Sequence, residues 1–154
     1  SYTDQPDVVC VVLTADCLPL LVCAVDGSEI AAIHAGWRGL LDGIIDNTIN
    51  ALQHRDVLVW LGPAIGPERF EVGADVRDAF ISKSANYQHC FKQHGQEKWL
   101  ADIYQLARIN LAALGVLNVY GGNFCTVTDS ERFYSFRRDK QTGRMATLIW
   151  RDKV

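Results

Sequence analysis

Hydrophobic residues along this chain fall in short blocks whose spacing changes from that of strands to that of helices and back. Asp7-Val8-Val9-Cys10-Val11-Val12-Leu13 is apolar at both parities and β-branched, which predicts a strand covered on both faces. Pro19 then breaks the chain. Leu20 to Val25 is a second run, Asp26-Gly27-Ser28 carries a turn signal, and Glu29 to Ile33 is a third, shorter strand with His34 at its end. From Trp37 the period lengthens: Trp37, Leu41, Ile44, Ile45, Thr48 and Leu52 share one helical face, with Asp42, Asp46, Asn50 and Gln53 turned away. Val57 to Leu61 predicts another strand. Two Gly-Pro steps within Gly62-Pro63-Ala64-Ile65-Gly66-Pro67 make that segment a shaped loop, because neither helix nor ladder tolerates such a density of proline.

Gly73 to Ser82 predicts a short helix, and the polar, aperiodic segment from Ser84 to Gln96 is expected to be a mobile excursion. The clearest helix runs from about Trp99 to Leu114, with Leu100, Ile103, Ala107, Leu111 and Leu114 in register and Gly115 just past the cap. Val116 to Tyr120 reads as a strand, Gly121-Gly122 as a turn, and Phe133 to Arg138 with Arg144 to Trp150 as a closing hairpin across Asp139 to Gly143. No repeat or linker interrupts the pattern, so residues 1–154 are expected to form one domain.

Composition narrows the partners. At 154 residues, 49% hydrophobic and 21% charged, the chain can bury a sizeable core. A formal charge of -3 and a pI near 5.7, without a block of Lys or Arg, offer no footprint for nucleic acid or an anionic membrane, which favours a small-molecule partner. No stretch approaches the roughly 20 apolar residues of a membrane span. Five cysteines without the dense spacing of a stapled secreted domain read as reduced thiols, hence as a soluble cytoplasmic protein.

Two runs concentrate the chemistry: Thr14-Ala15-Asp16-Cys17 and His34-Ala35-Gly36-Trp37-Arg38. Each follows a strand, and the excursion between them is hairpin-length, so Cys17 and His34 can meet. A thiol beside an imidazole suits two ligands of a zinc ion, and equally a cysteine nucleophile with its base. Singly, Cys17 reads as a small buried hydrophobe and His34 as a hydrogen-bonded core histidine; the pairing is what raises their interest. Asp16 can orient an imidazole, act as acid or base, or cap the turn. Gly36 and Gly39 flank Trp37-Arg38 at a strand-to-helix turn, where backbone N–H groups, a helix dipole and a guanidinium make an anion site, against the blander reading of a tight turn with a surface arginine. Cys10 and Cys23 read as packing. His89, Cys90 and His94 have a metal-compatible spacing in a polar loop, where solvated side chains are favoured over ligands. Cys125-Thr126, Arg137-Arg138 and Arg144 are weak signals on their own.

Together these residues carry a resemblance. Thr14-Ala15-Asp16-Cys17-Leu18-Pro19, Ile33-His34-Ala35-Gly36-Trp37-Arg38-Gly39, Leu61 to Pro67 before Phe70-Glu71-Val72-Gly73, Cys125-Thr126, and Phe133-Tyr134-Ser135-Phe136-Arg137-Arg138 with Thr142-Gly143-Arg144 resemble the YfiH-type family, once called laccase-domain polyphenol oxidases and now regarded as purine nucleoside phosphorylases. The match runs from near Val8 to Trp150. It implies an α+β fold, a layered α-β-β-α sandwich with mixed sheets, and phosphorolysis and deamination of purine nucleosides of the adenosine, inosine and methylthioadenosine class. It also implies a zinc site with Cys17 and His34 as two ligands and Arg38 beside it. The family's third ligand is a histidine well upstream of the Thr-Ala-Asp-Cys motif, so the chain is expected to be the C-terminal two-thirds of the family domain. Purine nucleoside and phosphate are the partners this resemblance implies. Copper is disfavoured, because four histidines with no His-x-His pair cannot supply a blue site and a multi-copper cluster. Two other readings stay open: a metal-free cysteine hydrolase or deamidase using Cys17 and His34, and a non-catalytic fragment.

Overall fold

A computed structural model describes residues 1–153. Its central sheet is mixed, in the order β1 (Tyr2–Thr3), β4 (Ile30–Ala35), β3 (Leu18–Ala24), β5 (Val57–Leu61), β9 (Val119–Gly121), antiparallel throughout except where β9 runs parallel to β5. Alternation along β3 and β4 gives this sheet two apolar faces. Leu18, Leu20, Val22, Ala31, Ile33 and Ala35 turn towards α2 (Ile44–Ala51) and α4 (Ile103–Ala113) and form the main core with Ile45, Ile49, Leu106 and Leu111. Leu21, Cys23, Ile30 and Ala32 turn the other way. There they meet Cys10, Val12 and Ile149 from a two-stranded sheet of β2 (Cys10–Thr14) and β10 (Met145–Ile149). Helices, mixed sheet and second sheet therefore stack in layers, the α+β architecture the resemblance implies. A third small sheet, β6 (Glu71–Gly73), β8 (Lys98–Ala101) and β7 (Phe91–Gln93), lies beside α3 (Ala74–Lys83). No described helix is long and apolar enough to cross a membrane.

Five expectations need correction. β2 is covered on one face only: the two-stranded sheet it forms with β10 packs one face on the central sheet, so Val11 and Leu13 on the other stay exposed while Cys10 and Thr14 are buried. The helix from Trp37 is two helices, α1 (Trp37–Leu41) and α2, because Gly43 takes a left-handed conformation (φ 84°) that ends one axis and starts another. The segment from Ser84 to Gln96 is built: a 3-10 turn over Ala85–Cys90, then β7, held by Tyr87 and Phe91 packed on Phe80 with ring centroids 5.5 and 6.0 Å away. Trp99 belongs to β8, and the long helix begins only after Asp102, whose carboxylate caps it by accepting from the Gln105 N–H at 2.9 Å. The closing hairpin does not form: Phe136–Asp139 is a short helix (α5) capped by Ser135, and β10 crosses to β2 in the register Met145 opposite Thr14 through Ile149 opposite Cys10.

Candidate functional site

Cys17 and His34 are brought to one place by strand register. Leu18 pairs with Ala35 and Pro19 with His34, so Cys17, one step further, stands opposite Gly36, with His34 diagonal to it on the same face. A Cβ built on Gly36 would lie 3.0 Å from the Cys17 sulfur, which shows how closely the thiol rests on that glycine. Both side chains line a cavity of about 460 Å³. Burial pushes the Cys17 thiol up from its ordinary pKa and the Asp16 charge adds to this, while Arg144 acts in the opposite sense. His34 is exposed to the cavity.

Asp16 sits at φ 83°, a left-handed conformation that costs a non-glycine residue roughly 1–2 kcal/mol. Its carboxylate recovers that cost: Oδ1 accepts from the Thr126 hydroxyl at 2.6 Å and Oδ2 from the Arg137 N–H at 2.7 Å. The residue beside the thiol thus ties the Cys125-Thr126 loop and α5 to the strand end. Arg38, in α1, lies 4.3 Å over the Trp37 ring and opens on the same cavity. Gly36 and Gly39 do not line it; a Cβ at Gly39 would meet Ile44 at 3.5 Å and the His34 carbonyl at 3.6 Å.

Residues that carried little weight in the sequence complete the wall. Arg137 and Arg144 reach the cavity, and Leu13, Ile65, Phe70, Ile103 and Phe136 give it an apolar side. Only family-motif spacing marked the two arginines, and nothing marked Tyr104. Its buried hydroxyl accepts from the Ala64 N–H at 2.8 Å and faces the Gly62 and Phe124 carbonyls at 3.2 and 3.1 Å, which fixes the double Gly-Pro loop against the Phe124–Thr126 segment. Cys125 faces a separate cavity of about 570 Å³ with Arg69 and Arg132; burial raises its pKa, but hydrogen bonds from Thr128, Gly66 and Val127 outweigh this and leave the thiol lowered. His89 and His94 are exposed, the latter 3.7 Å from Glu71, and Cys90 is buried with its thiol pushed up to about 12 by burial and then by Asp102. These three do not join the cavity. Among the described residues no group of three or more His, Cys, Asp or Glu is arranged to hold a metal, and all five cysteines are free.

Comparison with known proteins gives the family of the chain. Residues 1–152 match the family model described as multi-copper polyphenol oxidoreductase laccase. The chain is 55% identical over 152 residues to the Shigella flexneri protein named purine nucleoside phosphorylase YfiH, covering 97% of this chain and 62% of that one, and 32% identical over 160 residues to purine nucleoside phosphorylase YlmD of Geobacillus stearothermophilus, covering 97% and 58%. The crystal structure of a Neisseria meningitidis protein superposes with a TM-score of 0.97 at 49% identity, over 99% of this chain and 64% of the other. The chain therefore spans about three-fifths of the length of the relatives it matches. Motifs, fold and sequence identity agree, and the chain belongs to the laccase-domain, YfiH-type family.

Proposed function

We propose that this chain carries the reaction cavity of a zinc-dependent purine nucleoside phosphorylase that also deaminates adenosine. The observation that supports it most is the convergence of Cys17, His34 and arginine side chains on one partly apolar cavity, in a chain 55% identical to a protein named purine nucleoside phosphorylase. Cys17 and His34 are the residues that would hold zinc, since thiolate and neutral imidazole are among its preferred donors. The pair fits part of a tetrahedral set; His54, His89 and His94 lie elsewhere, so the remaining donors come from outside the described residues or from solvent. One thiol and one imidazole suit zinc better than a multi-copper cluster. When bound, zinc supplies Lewis-acid chemistry at the Cys17 end of the cavity.

The chain's own residues do the rest. Leu13, Ile65, Phe70, Ile103 and Phe136 exclude water and offer a flat apolar seat to a purine. Arg38 offsets the charge of phosphate. In phosphorolysis a phosphate oxygen bonds to C1′ of the ribose as the C1′–N9 bond breaks; the electron pair leaves with the purine, which takes a proton, and ribose 1-phosphate remains. In deamination water adds at C6 of adenine and ammonia departs. Asp16, with both oxygens engaged, acts here by holding the Cys17 backbone in place. Five free thiols suit a reducing compartment, so this reading takes the cytoplasm as the location.

The test uses the full-length protein with its metal content determined, incubated with inosine or adenosine with and without orthophosphate. Phosphate-dependent release of base with ribose 1-phosphate, ammonia from adenosine, and loss of zinc and turnover in Cys17→Ser and His34→Ala are expected. Phosphate-independent turnover by a zinc-free sample that iodoacetamide abolishes would instead establish the cysteine hydrolase reading.

A further inference from the structure

Three arginine side chains reach the cavity, but they are not equally free. Arg137 is spent on the fold: Nη1 donates to the carbonyls of Arg69 at 3.3 Å and Glu71 at 3.2 Å, Nη2 donates to Glu71 at 3.2 Å, and the guanidinium lies 5.8 Å from the Phe70 ring. Arg38 rests on Trp37 and makes no hydrogen bond to the described residues. Arg144 uses only Nη1, on the neighbouring carbonyls of Thr142 and Gly143 at 3.1 and 2.9 Å, which leaves Nε and Nη2 free among the described residues. Its position follows from register. Met145 pairs with Thr14, so Arg144, just before β10, falls opposite Ala15, beside Asp16 and Cys17.

Charge decides how many of these are needed. Orthophosphate carries between about one and two negative charges near neutral pH, so a single guanidinium leaves it under-compensated. The backbone adds little charge: α1 has only five residues, so the partial charge at its N-terminus is small beside that of a second guanidinium. We propose that Arg144 is the second arm of the orthophosphate site, gripping the anion together with Arg38 across the Cys17 end of the cavity. The forked donors left free on each side chain suit the oxygens of a tetrahedral anion, which an ammonium group cannot match. This rests on the phosphorolysis reading, which makes phosphate a substrate.

The experiment compares full-length wild type with Arg144→Gln, Arg144→Lys and Arg38→Gln. Orthophosphate affinity is measured by calorimetric titration without nucleoside, phosphate and nucleoside KM by turnover, and folding by the urea midpoint. Arg144→Gln is expected to raise the phosphate KM and the Kd for orthophosphate about 10- to 100-fold, as loss of a charged hydrogen-bonding partner does, with nucleoside KM within about twofold. Arg144→Lys, which keeps the charge and loses the fork, should fall between. An unchanged phosphate KM and Kd in a folded Arg144→Gln, or a rise in nucleoside KM alone, overturns the assignment and leaves phosphorolysis standing. Wild type that binds orthophosphate through Arg144 yet releases base without consuming it keeps the clamp and overturns phosphorolysis.

Discussion

Replacing Gly36 by alanine separates what the fold requires from what the cavity requires. Gly36 has φ -68° and ψ 166°, an extended conformation open to any residue, so alanine adds no backbone strain and, by restricting the unfolded chain, stabilises by about 0.4–1 kcal/mol. The new Cβ meets one side chain only, 3.0 Å from the Cys17 sulfur and 3.9 Å from its Cβ. Comfortable contact needs about 3.5–4.0 Å, so the thiol must yield by roughly half an ångström. Turning Cys17 off its rotamer by enough costs on the order of 0.5–1.5 kcal/mol, which nearly cancels the entropic gain. Stability should stay within about 1 kcal/mol of the parent. If Cys17 holds zinc as proposed, it is a metal ligand that tolerates displacement of only about 0.2 Å, so zinc affinity and turnover should fall roughly 10- to 100-fold. Urea unfolding, zinc titration against a competing chelator and base release, all on the full-length protein, measure the three quantities. Unchanged zinc affinity and turnover would refute the placement of the Cys17 sulfur at the working centre; a stability loss above about 2 kcal/mol would refute the separation itself.

Other outcomes follow from contacts outside the thiol. Asp16→Asn keeps the side-chain shape but loses the charge that accepts from Thr126 and Arg137, and should lower the unfolding free energy by about 1–3 kcal/mol in urea titration. Tyr104→Phe leaves the Ala64 N–H buried without its acceptor, at a similar cost of about 1–3 kcal/mol, and should loosen the double Gly-Pro loop as seen by amide exchange at Ala64. Stability should also have a pH optimum set by Glu29 and His54. Burial raises the Glu29 pKa, but hydrogen bonds from the His54 ring and from the Gln53 and His54 N–H groups outweigh it and leave it lowered, so its contribution is present above its ordinary value of 4.5 and fades as pH falls through the folded value. His54 is raised by its hydrogen bond to Glu29 and by the Asp26 charge, so its contribution is complete below 6.5 and fades as pH rises through the folded value. Thermal midpoints should therefore peak between pH 4.5 and 6.5, and His54→Gln should remove the decline on the alkaline side.

How much of this was legible depends on how far apart in sequence the interacting residues lie. Cys17 and His34 belong to one hairpin, and the turn at Asp26-Gly27-Ser28 fixes its register, so alternation alone assigns both to the face carrying Leu21, Cys23, Ile30 and Ala32. Nothing comparable announces the pairing of β10 with β2. Cys10 to Leu13 is apolar at every position, which hides the parity that would have shown one bare face, and the partner strand lies more than a hundred residues away. Arg144 arrives at the cavity only through that pairing, and Arg137 only through its N–H bond to Asp16, so both remain weak signals until the fold is known. The helix break was written as Asp42-Gly43 but lay beneath an apolar stripe that continues across it, and Tyr87, Cys90 and Phe91 were too few apolar residues to mark an ordered segment amid polar ones. The thiol and imidazole are thus set by local register, while the cationic wall is assembled by contacts across the chain. Exchange of arginine for lysine at position 144 therefore tests a feature of the tertiary fold, whereas exchange of glycine for alanine at position 36 tests one already present in a single hairpin.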